Sequence, residues 1–114
     1  MILATVRMVI PPSKHGEVLK ILRTLTEQNR IQPGCLSSHI YRDTEEGNTF
    51  SVEETWRSKE DLECHLRSAE YSKLLQVMEM GIEHPEIRFS TLSTWGGIET
   101  IEKARGPIGK EERP

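Results

Sequence analysis

Residues 35–56 read CLSSHIYRDTEEGNTFSVEETW, and this stretch decides the fold. Two extended runs, "CLSSHIYRD" and "NTFSVEETW", flank "TEEG", a connection rich in turn residues. That pattern predicts a β-hairpin, so the two strands are antiparallel neighbours. Upstream, "ILATVRMVI" alternates Ile2, Ala4, Val6, Met8 and Ile10 on one side and stops at Pro11-Pro12, which cannot donate to a ladder. It is a first strand. Ser13 is positioned to cap a helix in which Val18, Ile21, Leu22 and Leu25 recur at helical spacing as far as Asn29, with Pro33-Gly34 just beyond.

Downstream of the hairpin, Ser58 offers an N-cap with Asp61 at N3. Leu62, Leu66, Leu74, Leu75, Met78 and Ile82 then carry helical periodicity to about Gly81, with a break near Ser68. After His84-Pro85, "EIRFSTLSTW" alternates as a last strand, and "GGIETIEKAR" is a short helix or an extra strand. The order β-α-β-β-α-β is the ferredoxin-like α+β arrangement, a four-stranded antiparallel sheet with two helices on one face. One domain is expected over residues 1–105, with a polar tail at 106–114. The helix-free face would carry Leu3, Val9, Leu36, Ile40 and Leu92 among polar groups. A homodimer through that face is therefore expected, with the segment around Ile98 and Ile101 reaching across to the partner.

Composition excludes several functions. Fifteen basic against eighteen acidic side chains give a net charge of −3, without the concentrated basic face that nucleic-acid binding requires. No apolar run approaches the roughly 20 residues that span a bilayer, so no membrane partner and a cytoplasmic location are expected. Cys35 and Cys64 fit neither a CxxC redox pair nor a zinc spacing and read as reduced, half-buried thiols. The histidines show no metal-ligand spacing and there is no GxGxxG loop, so neither metal nor cofactor is expected.

The segment from Pro33 to Tyr71 resembles the antibiotic biosynthesis monooxygenase family. The likeness rests on Gly34-Cys35 at strand two, Glu54 just before Trp56 at the close of strand three, and His65 in the next helix. It extends over about residues 1 to 95 and implies a dimeric α+β barrel of two sheets packed face to face. Some members oxidise electron-rich quinol or anthrone-like compounds with O2 and no metal or flavin; others degrade haem. The haem-degrading members need an Asn on strand one where this chain has Val6, and some polyketide oxygenases need one where it has Val52.

Cofactor-free oxygenation asks for a base and an apolar box. His65 is the candidate base, since an unperturbed imidazole is a neutral acceptor near neutral pH. Trp56 shares strand parity with Phe50, Val52 and Glu54, on the side of Val6 and Met8, and is the candidate aromatic wall. Glu54 either orients His65 or pairs with an arginine. His39 and Tyr41, placed with Cys35 and Ser37 by alternation, are further binding candidates. Arg7 either binds a carboxylated substrate or meets Glu53 or the dimer partner, while His15 and His84 read as solvated. The resulting expectation is a cofactor-independent monooxygenase acting with O2 on a small phenolic or quinol-type compound. The alternative is a non-catalytic dimeric barrel that binds a small hydrophobic metabolite, a reading favoured by an aromatic content of only 5%. Trp56 and His65 are expected in one pocket between sheet and helices.

Overall fold

A computed structural model describes residues 1–106; the tail from 107 onward, and with it most of the expected 106–114 segment, lies outside the described residues. Strand β1 (Ile2–Val9) leads through a 3-10 turn (Pro12–Lys14) into helix α1 (His15–Arg30). The hairpin strands are β2 (Cys35–Arg42) and β3 (Thr49–Trp56). Then come α2 (Lys59–Leu66), α3 (Ala69–Glu79), β4 (Glu86–Thr91) and α4 (Ile98–Arg105). The sheet order is β2-β3-β1-β4, every neighbour antiparallel. This is the ferredoxin-like arrangement that the alternating runs predict, with the second helix broken at Ser68, whose hydroxyl caps α3 by accepting from the Tyr71 amide.

Two details of the first helix differ from expectation. Ser13 falls inside the 3-10 turn started by the two prolines, so α1 begins at His15 with no side-chain cap. His15 is half-buried rather than solvated, with Nε2 2.8 Å from the Ile10 carbonyl and its ring edge-on to Phe50. The hairpin connection is held by Asp43, whose carboxylate accepts the amides of Glu45 and Glu46 at 2.8 Å each. Those bonds lower the Asp43 pKa.

Cross-strand partners share a face, and this rule fixes where the core sits. Val6 lies opposite Val52, and Val52 opposite Ile40. All three therefore face the helices, where Val18, Leu22, Leu25, Leu74 and Val77 complete the main core. A smaller cluster, Ile2, Ala4, Trp56 and Leu62, closes the other end. Ile40 is thus a core-side residue, not part of the helix-free face. A register irregularity between Cys35 and Ser37 adds one residue and turns Cys35 to the helix side, while Ser37, His39 and Tyr41 face away. The helix-free face is accordingly more polar than expected, with Leu3 and Val9 among Thr5, Ser51, Glu53, Thr55, Arg88 and Ser90. Leu75 and Ile82 are exposed rather than in the core, as is Cys64; both cysteines are free.

Gly34 ties the hairpin to α2. Its φ is +83°, and a Cβ added there would collide with the Asp61 carboxylate, which itself holds the start of α2 through Ser58 and Arg57. The Gly34 carbonyl meanwhile accepts the Arg57 amide at 2.8 Å. Gly34→Ala is expected to destabilise the domain by about 1–3 kcal/mol or more, from backbone strain plus displacement of Asp61. Chemical denaturation checks it, and a midpoint equal to the wild type would contradict this role.

Candidate active site

Strand β3 delivers Glu54 and Trp56 to the helix side two residues apart, and the chain then has only residues 57–58 before α2 begins. Ser58 caps that helix by accepting the Asp61 amide at 3.2 Å, which fixes its direction back over the sheet. His65, in the last turn of α2, therefore arrives above the strand the chain has just left. The imidazole stacks on the Trp56 indole with ring centroids 4.4 Å apart and planes at 26°. The Tyr71 ring meets it edge-on at 5.2 Å.

Glu54 is the hub. Its Oε1 accepts Trp56 Nε1–H at 3.0 Å and lies 3.1 Å from His65 Nε2; its Oε2 accepts Asn29 Nδ2–H at 2.9 Å. Asn29 Nδ2 also reaches Ser38 Oγ at 3.3 Å. A carboxylate only 3% exposed needs such donors, since an uncompensated buried charge costs several kcal/mol. His65 stands close to Oε1 without the alignment of a hydrogen bond, so both of its ring nitrogens lack an aligned partner, as does Asn29 Oδ1. Contact distance without alignment is an arrangement in which a proton arriving on the imidazole would meet a carboxylate at once. Burial, and secondly the Glu54 charge, raise the Tyr71 pKa; the same two causes raise that of the Cys35 thiol. Tyr71 consequently remains a protonated phenol near neutral pH and is not a competing base.

Val6 and Val52 lie on the same face as Glu54 and Trp56, buried in the main core. Arg7, His39 and Tyr41 are separated from this cluster by the sheet itself. Arg7 pairs with Glu46 at 3.2 Å and Glu86 at 3.9 Å rather than with Glu53, because its cross-strand neighbours are Ser51 and Glu86. His39 and Tyr41 pack against each other on the helix-free face, their centroids 6.3 Å apart. Asn29, Ser38 and Tyr71 were not singled out from sequence. Asn29 continues the Val18, Leu22, Leu25 stripe by one more turn, and a polar residue in that phase is the available signal.

Glu54, Trp56 and His65 line none of the five principal cavities among the described residues. The nearest by contact is a groove of about 360 Å3 between α2 and β4, floored by Ile2, Leu62, Leu66 and Phe89 and rimmed by Lys59 and Glu63. Ile2 and Leu62 also pack in the cluster that holds Trp56, so they form a wall between the groove and the indole. Trp56 and His65 are together, as expected, but in a closed core rather than an open pocket. No group of three potential ligands among the described His, Cys, Asp and Glu residues could hold a metal ion. No helix among those residues is long and apolar enough to cross a membrane.

Residues 1–76 match the model of the antibiotic biosynthesis monooxygenase family. The chain belongs to that family. It is 30% identical over 67 residues to the uncharacterised protein sll1783 of Synechocystis, a match covering 59% of this chain and 46% of that protein. The chain thus spans less than half the length of this curated relative. A crystal structure of an antibiotic biosynthesis monooxygenase superposes with a TM-score of 0.75 at 19% identity, covering 82% of this chain and 100% of the other. A conserved protein from Methanosarcina mazei Go1 gives a TM-score of 0.76 at 20% identity, covering 81% and 92%. At these identities the superpositions establish a shared fold.

Proposed function

We propose that this chain is a cofactor-independent monooxygenase that oxidises a small phenolic or quinol-type compound with O2, using His65 as base, Glu54 as its countercharge and Trp56 as the aromatic wall. The observation that carries the reading is the buried Glu54–His65–Trp56 cluster, in which the imidazole stands beside a carboxylate with no aligned hydrogen bond to satisfy it. In this reaction His65 removes the acidic proton of an anthrone-like ring methylene or its enol. The imidazolium is stabilised by Glu54, and the Trp56 face holds the planar anion. The anion passes one electron to O2, and the resulting pair of radicals joins to a carbon-bound peroxide. Return of the proton gives the hydroperoxide, which eliminates water and leaves a carbonyl at that carbon. All four electrons that reduce O2 come from the substrate, whose ring methylene becomes the carbonyl, and one oxygen atom ends in product and one in water.

Substrate enters from the groove between α2 and β4, and reaching His65 requires Ile2, Leu62 and Leu66 to give way. The short helix α2, broken from α3 at Ser68, is the element suited to that displacement. The enzyme works as a homodimer with sheets packed over their helix-free faces.

A second reading is a non-catalytic dimer that binds a small hydrophobic metabolite. It is favoured by the closed core, because Glu54, Trp56 and His65 are all buried and the groove between α2 and β4 stops short of His65. Oxygen uptake with a panel of small quinols and anthrones separates the two. Substrate-dependent uptake that persists in EDTA is the expected result. Ligand binding without uptake across the panel would overturn catalysis and leave the binding role.

A further inference from the structure

Helix α1 and the edge strand β2 enclose a cleft of about 490 Å3, separate from the groove between α2 and β4 and lined by none of Glu54, Trp56 and His65. Arg23 and Arg30, two turns apart on one face of α1, reach it from the helix, and Arg42 reaches it from the strand. Three guanidinium groups against the single carboxylate of Glu27 give this lining an excess of positive charge, although the chain as a whole carries −3. None of these four side chains forms an ion pair among the described residues.

Two of the guanidiniums are held in place by neutral groups. Arg30 donates Nε–H and Nη2–H to the Ser38 carbonyl at 3.0 and 2.8 Å. Arg42 donates Nε–H to the Gly47 carbonyl at 2.7 Å and lies over the Phe50 ring, 5.3 Å from its centroid. His15 completes that support: its Nε2–H is spent on the Ile10 carbonyl, so Nδ1 accepts from Arg42 Nη2 at 3.3 Å. A guanidinium pinned by such partners keeps its whole charge and leaves its Nη1 edge to an oxyanion, with little side-chain freedom left to lose on binding. The Ser38 carbonyl points out of the sheet edge toward Arg30, and the same parity turns the Ile40 amide outward along that edge as a further donor. Leu19 and Ile40, both half-buried, supply apolar surface beside the charges.

We propose that this cleft binds a small organic anion, a carboxylate or phosphate head on an apolar body of about one ring. The head sits among Arg23, Arg30 and Arg42, and the body lies on Leu19 and Ile40. The volume is that of a small-molecule site, and a lining of one dominant sign focuses its field on an incoming anion. The assignment stands independently of the monooxygenase reading, because it uses none of the residues given a role in that reaction.

Calorimetric titration and amide-resolved NMR of the full chain test this with four probes: phenyl phosphate, benzoate, inorganic phosphate and benzyl alcohol. One or both aromatic anions should bind saturably and move the amides of Arg23, Arg30 and Ile40, the tighter of them naming the head group. Inorganic phosphate lacks the body and benzyl alcohol the charge, so each should bind roughly tenfold or more weakly than that anion. Arg23→Gln, at an exposed position, should weaken the anion by a similar factor and leave the melting temperature unchanged. Glu27→Gln should tighten binding, whereas Glu60→Gln on α2, the same change of charge away from the cleft, should not. Shifts that fail to saturate for both aromatic anions, or that centre on other residues, would overturn the site. Equal affinity in Arg23→Gln and wild type, or for benzyl alcohol and the better anion, would overturn recognition of the charge, and inorganic phosphate binding as tightly as phenyl phosphate would overturn the apolar half of the site.

Discussion

His65→Ala is expected to lower turnover on an established substrate by about 10²- to 10⁴-fold, the contribution typical of a positioned general base. Because the side chain is buried and stacked on Trp56, the same substitution should also cost some stability. The two effects separate by measuring turnover per folded molecule well below the melting transition, alongside His65→Asn, which keeps a planar polar group in roughly the same space. The asparagine variant should recover much of the stability and little of the rate, since an amide cannot accept a proton near neutral pH. Glu54→Gln should act in the same direction through another cause: the amide retains an oxygen for the Trp56 N–H but offers no charge to an imidazolium, so its rate deficit should exceed its stability deficit. Equal rates for His65→Ala and wild type would remove the base from the mechanism and put the binding reading in front.

The parts of this molecule that a sequence reader can find are those whose pattern repeats. Ile2, Ala4, Val6 and Met8 alternate without interruption and are the buried face of β1, and Ile10 just beyond it keeps the same phase. The meeting of Trp56 and His65 follows from the two-residue connection and the Ser58 cap, both legible in "TWRSKED". Alternation fails where the backbone inserts a residue. The irregularity between Cys35 and Ser37 breaks the parity of β2, and counting from Leu36 assigns Ile40 to the wrong face. The hairpin register decides the matter, because Ile40 stands opposite Val52, but a register is a property of the turn and not of either strand read alone. Asn29 escaped for a different reason. A single polar residue on an apolar stripe looks like a helix end, and only the third dimension shows that it faces a carboxylate supplied from β3. The closure of the site was equally invisible: residue types can specify which groups converge, while whether a cavity remains among them depends on how Ile2, Leu62 and Leu66 pack.

Trp56→Ala should be the most destabilising single substitution in the cluster, at about 3–5 kcal/mol for loss of a fully buried aromatic. Packing is only part of the effect. The indole N–H is one of two hydrogen bonds that stabilise the Glu54 carboxylate, and leaving a buried acceptor short of a donor costs about 1–3 kcal/mol by itself. Trp56→Phe separates the contributions, because it keeps an aromatic face against His65 and deletes the donor. If the carboxylate depends on that donor, the phenylalanine variant should still lose about 1–3 kcal/mol, and pairing it with Glu54→Leu, which removes the charge needing the donor, should cost less than the sum of the two single changes. Urea denaturation of the four proteins in this cycle measures the coupling. Strict additivity would mean that Trp56 serves Glu54 only as packing, and the hydrogen-bonded carboxylate on which the proposed chemistry depends would lose its main support.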